Sequence, residues 1–179
     1  MNAFDFKKEI TIEDSEISFE NVLKETNLPD YVMKTIRNSN ILLLPYEGNE
    51  CTERLFPEGT IEFLDYLQTA NEDSVNADIL ADDDTFYILQ QHSTVIEIAK
   101  IVVESGVLPI ALSLISNYIY DLLKKTHRGD ANVKVDITSD DENGRTRFKY
   151  NGPVSEMKTA MKQFQKVVRS QKQNEHKNK

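Results

Sequence analysis

Three groups of residues in this chain have types and spacing that could do chemistry. The first is acidic. Asp78, Asp82, Asp83 and Asp84 lie shortly before His92. Several oxygens converging with one imidazole would suit a divalent cation, and a metal-dependent hydrolase could be built on segment 78–92. Three consecutive aspartates point in different directions, so a solvated turn uses them equally well. The second group is basic. Arg145, Arg147 and Lys149 fall on one face of an alternating run, and Lys158, Lys162, Lys166 and Arg169 form a stripe at helical spacing. Clustered cations bind phosphates or a charged protein surface; their other use is a solvated helix face with a cross-strand pair such as Asp136 with Arg147. The third group is nucleophilic. Cys51 lies between Glu50 and Glu53, carboxylates that would raise its pKa and blunt it. His92 and Ser93 are adjacent in sequence, which gives no hydroxyl–imidazole geometry, and Ser93 suits a helix N-cap.

Other familiar sites fail on inspection. Ser139 to Gly144 opens like a calcium loop, but Ser139 replaces the first aspartate and Tyr150 falls where a bidentate glutamate belongs. The 6 glycines are scattered singly, so no loop cradles a phosphate. These residues assemble no active site, and no cofactor is expected.

The elements that must position these groups centre on Ser93 to Lys125. Val95, Ile98, Ala99 and Val102 recur at helical spacing, followed by Ser105-Gly106-Val107-Leu108-Pro109. Gly106 suits a left-handed helix end and Pro109 the first turn of a second helix. There Ala111, Leu114, Ile115, Tyr118, Ile119 and Leu122 form an apolar stripe. The expectation is a central helical hairpin. Its charge-free run, Ser105 to Tyr120, is 16 residues with a break inside, short of the ~20 that span a membrane.

Around this hairpin, Glu9 to Ile12 suits a short strand, and helices are expected over Ser18 to Glu25 and Asp30 to Arg37. Ile41 to Leu44 is a continuous apolar run, as in a strand buried on both faces. Tyr46 to Thr60 reads as loop, with Thr60 capping a helix whose inner side is Ile61, Leu64 and Leu67. Val75, Ala77 and Ile79 alternate as a strand does, while Phe86 to Leu89 is either a strand or a lead-in to the hairpin. Val133, Val135 and Ile137 alternate with polar residues, and Asn143-Gly144 signals a hairpin into a strand with Phe148 and Tyr150 on its inner side. Pro153 opens a last helix lined by Met157, Ala160, Met161, Phe164 and Val168. The fold class is therefore α+β, a mixed sheet with a central helical hairpin and a C-terminal β-β-α unit. One domain is expected over 1–169, with 131–169 as a possible subunit and 170–179 a disordered polar tail.

Composition sets the outer limits. A hydrophobic content of 39% with 28% charged residues is that of a soluble globular protein. The first residues lack basic and apolar signal-peptide regions, and there is 1 cysteine, so the expected compartment is the reducing cytoplasm. Net charge is −9 and unevenly spread: residues 1–92 carry 20 acidic and 6 basic side chains, residues 93–179 carry 10 and 15. Such polarity orients a protein toward a charged partner or a second copy of itself. The acidic half would repel a polyanion, which disfavours nucleic acid.

The second half also resembles, in layout, small effector-associated components of bacterial conflict (antiphage defence) systems. The resemblance lies in the apolar helix near Val107 to Leu123, the strand–turn–strand, and the Tyr150-Asn151-Gly152-Pro153 step into a helix. It implies a non-enzymatic protein that binds or restrains an effector. The function expected is thus an adaptor, inhibitor or regulatory subunit, with the hydrolase and the nucleic-acid binder as alternatives.

Overall fold

A computed structural model describes residues 8–46, 54–70, 72–90, 94–126 and 131–176. The chain begins with strand β1 (Glu9–Asp14), then helices α1 (Phe19–Glu25) and α2 (Asp30–Ile36). As expected, Ser18 caps α1, its Oγ accepting the Asn21 N–H at 3.0 Å. Strand β2 (Ile41–Leu44) follows and is buried on both faces. Next come β3 (Arg54–Pro57), α3 (Thr60–Thr69), β4 (Ala77–Ile79) and β5 (Phe86–Leu89). Strands β6 (Ile96–Glu97) and β7 (Lys100–Glu104) lead into α4 (Leu108–Thr126), and β8 (Asn132–Asp141), β9 (Gly144–Pro153) and α5 (Val154–His176) complete the chain.

The fold class is α+β with a mixed sheet and a C-terminal β-β-α unit. The main sheet runs β1-β9-β8-β7-β2-β4, with β6 beside β8. Strands β8 and β9 pair antiparallel over their whole length, while β7 joins β8 in parallel and β2 antiparallel. β3 and β5 form a separate parallel pair, in which Tyr87, Ile88 and Leu89 are exposed.

The expected helical hairpin is half wrong. Its second arm is α4, but its first is strand. Val95, Ile96, Ile98, Ile101, Val102 and Val103 are β-branched, a composition that favours a strand although the spacing also fits a helix. Ile101, Val102 and Val103 are all buried because β7 lies mid-sheet with layers on both sides. β6 and β7 also behave as one strand with a bulge. Ile96 lies opposite Val133, an offset of 37, whereas Ile101 lies opposite Ile137, an offset of 36. One extra residue therefore sits between Glu97 and Ile101, at Ile98–Ala99.

Smaller corrections follow the same lines. Gly106 is not left-handed; among the described glycines only Gly59 has positive φ, at 81°. Gly59 occupies the N-cap position of α3, and Thr60 is not the cap: its hydroxyl donates back to Pro57 O at 2.6 Å. The inner side of α3 is Thr60, Phe63 and Leu67, with Ile61 exposed. The β8–β9 turn is Glu142-Asn143, since Gly144 already pairs with Asp141. Helix α5 continues past Arg169 to His176, so residues 170–176 are helix where a tail was expected.

Layers follow from the alternation along each strand. Helices α3, α4 and α5 cover one face, packing on Ile41, Leu43, Ile101, Val103, Val135, Ile137 and Phe148. On the opposite face α1 and α2 cover only the β4-β2-β7 half, packing on Leu42, Leu44, Leu80 and Val102. The outer face of β8, β9 and β1 carries polar and charged side chains. Tyr150 points inward, and its ring folds over Gly152, where a Cβ would come within 3.0 Å of the hydroxyl.

Candidate functional site

The basic group does not form one surface. Along β9 the even residues Phe148 and Tyr150 point toward α5, with Phe148 stacked on Phe164 at 5.1 Å and 12°. Arg145, Arg147 and Lys149 therefore point out of the opposite face. There they are used internally. Arg147 grips Asp136 with two bonds, Nε to Oδ1 at 2.9 Å and Nη2 to Oδ2 at 2.6 Å. Arg145 pairs with Asp140 at 3.1 Å and Lys149 with Glu13 on β1 at 3.0 Å. Asp140 also receives the Phe19 N–H at 2.8 Å, which fastens the start of α1 to the sheet. Lys158, Lys162, Lys166 and Arg169 lie on the exposed side of α5, across the sheet, and make no ion pair among the described residues. The cross-strand alternative thus accounts for Arg147, and the seven cations divide between two faces.

The acidic group folds into a turn. Asp82 Oδ1 accepts the N–H of Thr85 at 2.8 Å and its hydroxyl at 2.5 Å, and these bonds hold the carboxyl below its ordinary value. Asp83 and Asp84 are exposed in the same turn between β4 and β5, and Asp78 accepts the Ile79 N–H. His92, Ser93 and Cys51 lie outside the described residues. Among the described residues no three His, Cys, Asp or Glu side chains converge to hold a metal ion, and no helix is long and apolar enough to cross a membrane.

A cleft between α3 and α4 is the better candidate. Its volume is about 730 Å³, within the range of sites that receive ligands. The Pro57-Glu58-Gly59 link forms one lip and the Ile98–Ala99 bulge the other. Phe63, Tyr66 and Tyr118 build the wall. The Phe63 and Tyr66 rings lie 4.8 and 5.3 Å from that of Tyr118, tilted by 45° and 51°. Both tyrosines are half-buried, and Tyr118 OH donates to Gly59 O at 3.5 Å.

Carboxylates ring this wall. Glu58, Glu62 and Asp65 are exposed at the rim and make no ion pair among the described residues. Asp121 stands on the α4 side, with Lys124 a distant 3.8 Å away. Burial raises the Tyr118 pKa and Glu62 raises it further; burial and then Asp121 do the same to Tyr66. Glu62 thus acts on the Tyr118 ring and Asp121 on that of Tyr66. Glu97, also at the rim, is held from the other side by Lys134 at 3.2 Å and lies beside the half-buried Tyr46. The cleft is therefore acidic and aromatic, a lining that attracts cations by charge and by ring faces.

Sequence reasoning passed over this cleft. Tyr118 was placed on the apolar stripe of α4, and Tyr66 had no assigned role. The available signal was Glu62, Asp65 and Thr69, one polar edge of α3 at spacings of 3 and 4, with Tyr66 beside it and Glu58 just before the helix. No protein-family model matches this chain, and no curated protein or solved structure is significantly similar to it.

Proposed function

We propose that this chain is a non-enzymatic protein-interaction module, an adaptor, inhibitor or regulatory subunit acting in the cytoplasm. The observation that carries the reading is the α3–α4 cleft, an open volume of about 730 Å³ with an aromatic wall and an acidic rim on which Glu58, Glu62 and Asp65 make no ion pair among the described residues. Aromatic rings supply large contact area at low entropic cost, and unmatched charge supplies selectivity. The partner is a polypeptide rather than a nucleic acid, because the rim repels phosphate and three of the candidate cations are already paired on the sheet. On the layout of the second half, from the apolar helix near Val107 to Leu123 through to the Tyr150-Asn151-Gly152-Pro153 step into the last helix, that partner is an effector of a bacterial conflict system.

Site-specific photocrosslinking in the native host tests this. A benzophenone side chain at Thr69, on the cleft, is expected to capture one discrete protein, and the same group at Ser170, exposed on α5, is not. Equal capture at both positions, or none at Thr69, would count against the reading.

A further inference from the structure

We infer that the α3–α4 cleft takes a cationic side chain, the guanidinium or ammonium of an arginine or lysine, with its charge among Glu58, Glu62 and Asp65 and its stem against Tyr66 and Tyr118. The inference rests on the interaction reading for the source of that cation, a partner polypeptide. Three observations converge on it. The first is the balance of the lining: five carboxylates (Glu58, Glu62, Asp65, Glu97 and Asp121) against one cation, Lys125. Glu97 and Asp121 have lysine neighbours, but the three on the α3 side are unmatched among the described residues.

The second observation is the spread of the carboxylates. A hard metal ion needs oxygens converging at 2.0–2.6 Å, whereas these are distributed along a rim. Such a ring matches the planar fork of a guanidinium, or an ammonium with several donors. The third is the wall. Tyr66 and Tyr118 are half-buried, so each ring is partly open, and an alkyl stem can lie along it while the charged head stays at the wet rim. The volume also exceeds one side chain, leaving room for the flanking backbone.

The test uses the whole protein with ring-¹³C tyrosine, whose 7 tyrosines include both wall residues. The probes are N-acetyl-arginine amide, N-acetyl-lysine amide and N-acetyl-norleucine amide, the last keeping the stem without the charge. The charged probes should shift the Tyr66 and Tyr118 resonances, and norleucine should not. The exposed double variant Glu62→Gln, Asp65→Asn should weaken the arginine probe by about fivefold, and raised salt should weaken it also. Equal shifts by norleucine, no shift by any probe, or arginine binding indifferent to salt and to the double variant would overturn the inference. A protein captured through Thr69 with no shift by charged probes would sink this inference alone. Charged probes that bind while Thr69 captures nothing would sink the interaction reading alone.

Discussion

The two faces of the main sheet are held by different physics. Under α3, α4 and α5 the strands present Ile137, Phe148 and Tyr150, closed by ring stacking on Phe164. On the reverse, β7 and β2 are covered by α1 and α2, and among the described residues no helix lies over β8, β9 and β1 beyond the contact of the start of α1 with Asp140. That uncovered half is knitted by Arg145–Asp140, Arg147–Asp136 and Lys149–Glu13. Charge there is spent within the molecule. At the α3 rim it is not: Glu58, Glu62 and Asp65 make no ion pair among the described residues, and neither do the four cations of α5 on the far side of the sheet.

The comparison can be broken first on the covered face. Phe148 and Phe164 are both 0% exposed, so Phe164→Ala should cost about 3–5 kcal/mol, read as a lower denaturant midpoint. A loss below 1 kcal/mol would mean that α5 is not seated on β9.

The rim of that face gives an intermediate effect. Asp141, at the end of β8, accepts from Ser105 and pairs with Lys172 on α5 at 2.9 Å. Burial pushes its pKa up, but the bonds from Ser105 and Lys172 prevail and hold it at about 2, below its ordinary 3.8. The unfolded chain thus takes up this proton before the folded one does. The contribution is complete above about pH 4 and lost as pH falls through about 2. It amounts to about 1–2 kcal/mol, allowing for solvent screening. Asp141→Asn should flatten the acid limb of a stability–pH curve over that window, and an unchanged limb would contradict the assignment.

The reverse face should respond least. Asp136→Ala removes the forked Arg147 pair, which is only partly exposed, and should cost about 1 kcal/mol. The loss should shrink in high salt. A cost near that of Phe164→Ala would show that the ion-paired half carries the sheet as strongly as the covered half.

What could be read from the sequence was what is local. The Ser18 cap, the Ile41–Leu44 run, the β8–β9 hairpin and the apolar side of α5 each announce themselves within one element. What escaped depends on distant partners. β7 looked helical because β-branched residues at that spacing fit either period, and only its place between β2 and β8 decides. β3 was hidden in a loop because its partner β5 arrives after α3 and β4. The end of α5 looked like a tail, yet Gln171 accepts the Thr146 hydroxyl and Lys172 reaches Asp141. The cleft needs Tyr66 and Tyr118 from separate helices, and no window along the chain contains both.

The bulge at Ile98–Ala99 has a genetic meaning. A strand has a reading frame of its own, two residues long, and losing one codon inside β7 or β8 would exchange inward and outward side chains along the rest of the strand. Codon 99 is different. Without Ala99 two residues would stand opposite two between Glu97 and Ile101, so Ile101 would still face Ile137, and Ile96 and Glu97 would still face Val133 and Lys134. A three-base deletion there removes part of the lip of the cleft and leaves the frame of the sheet intact.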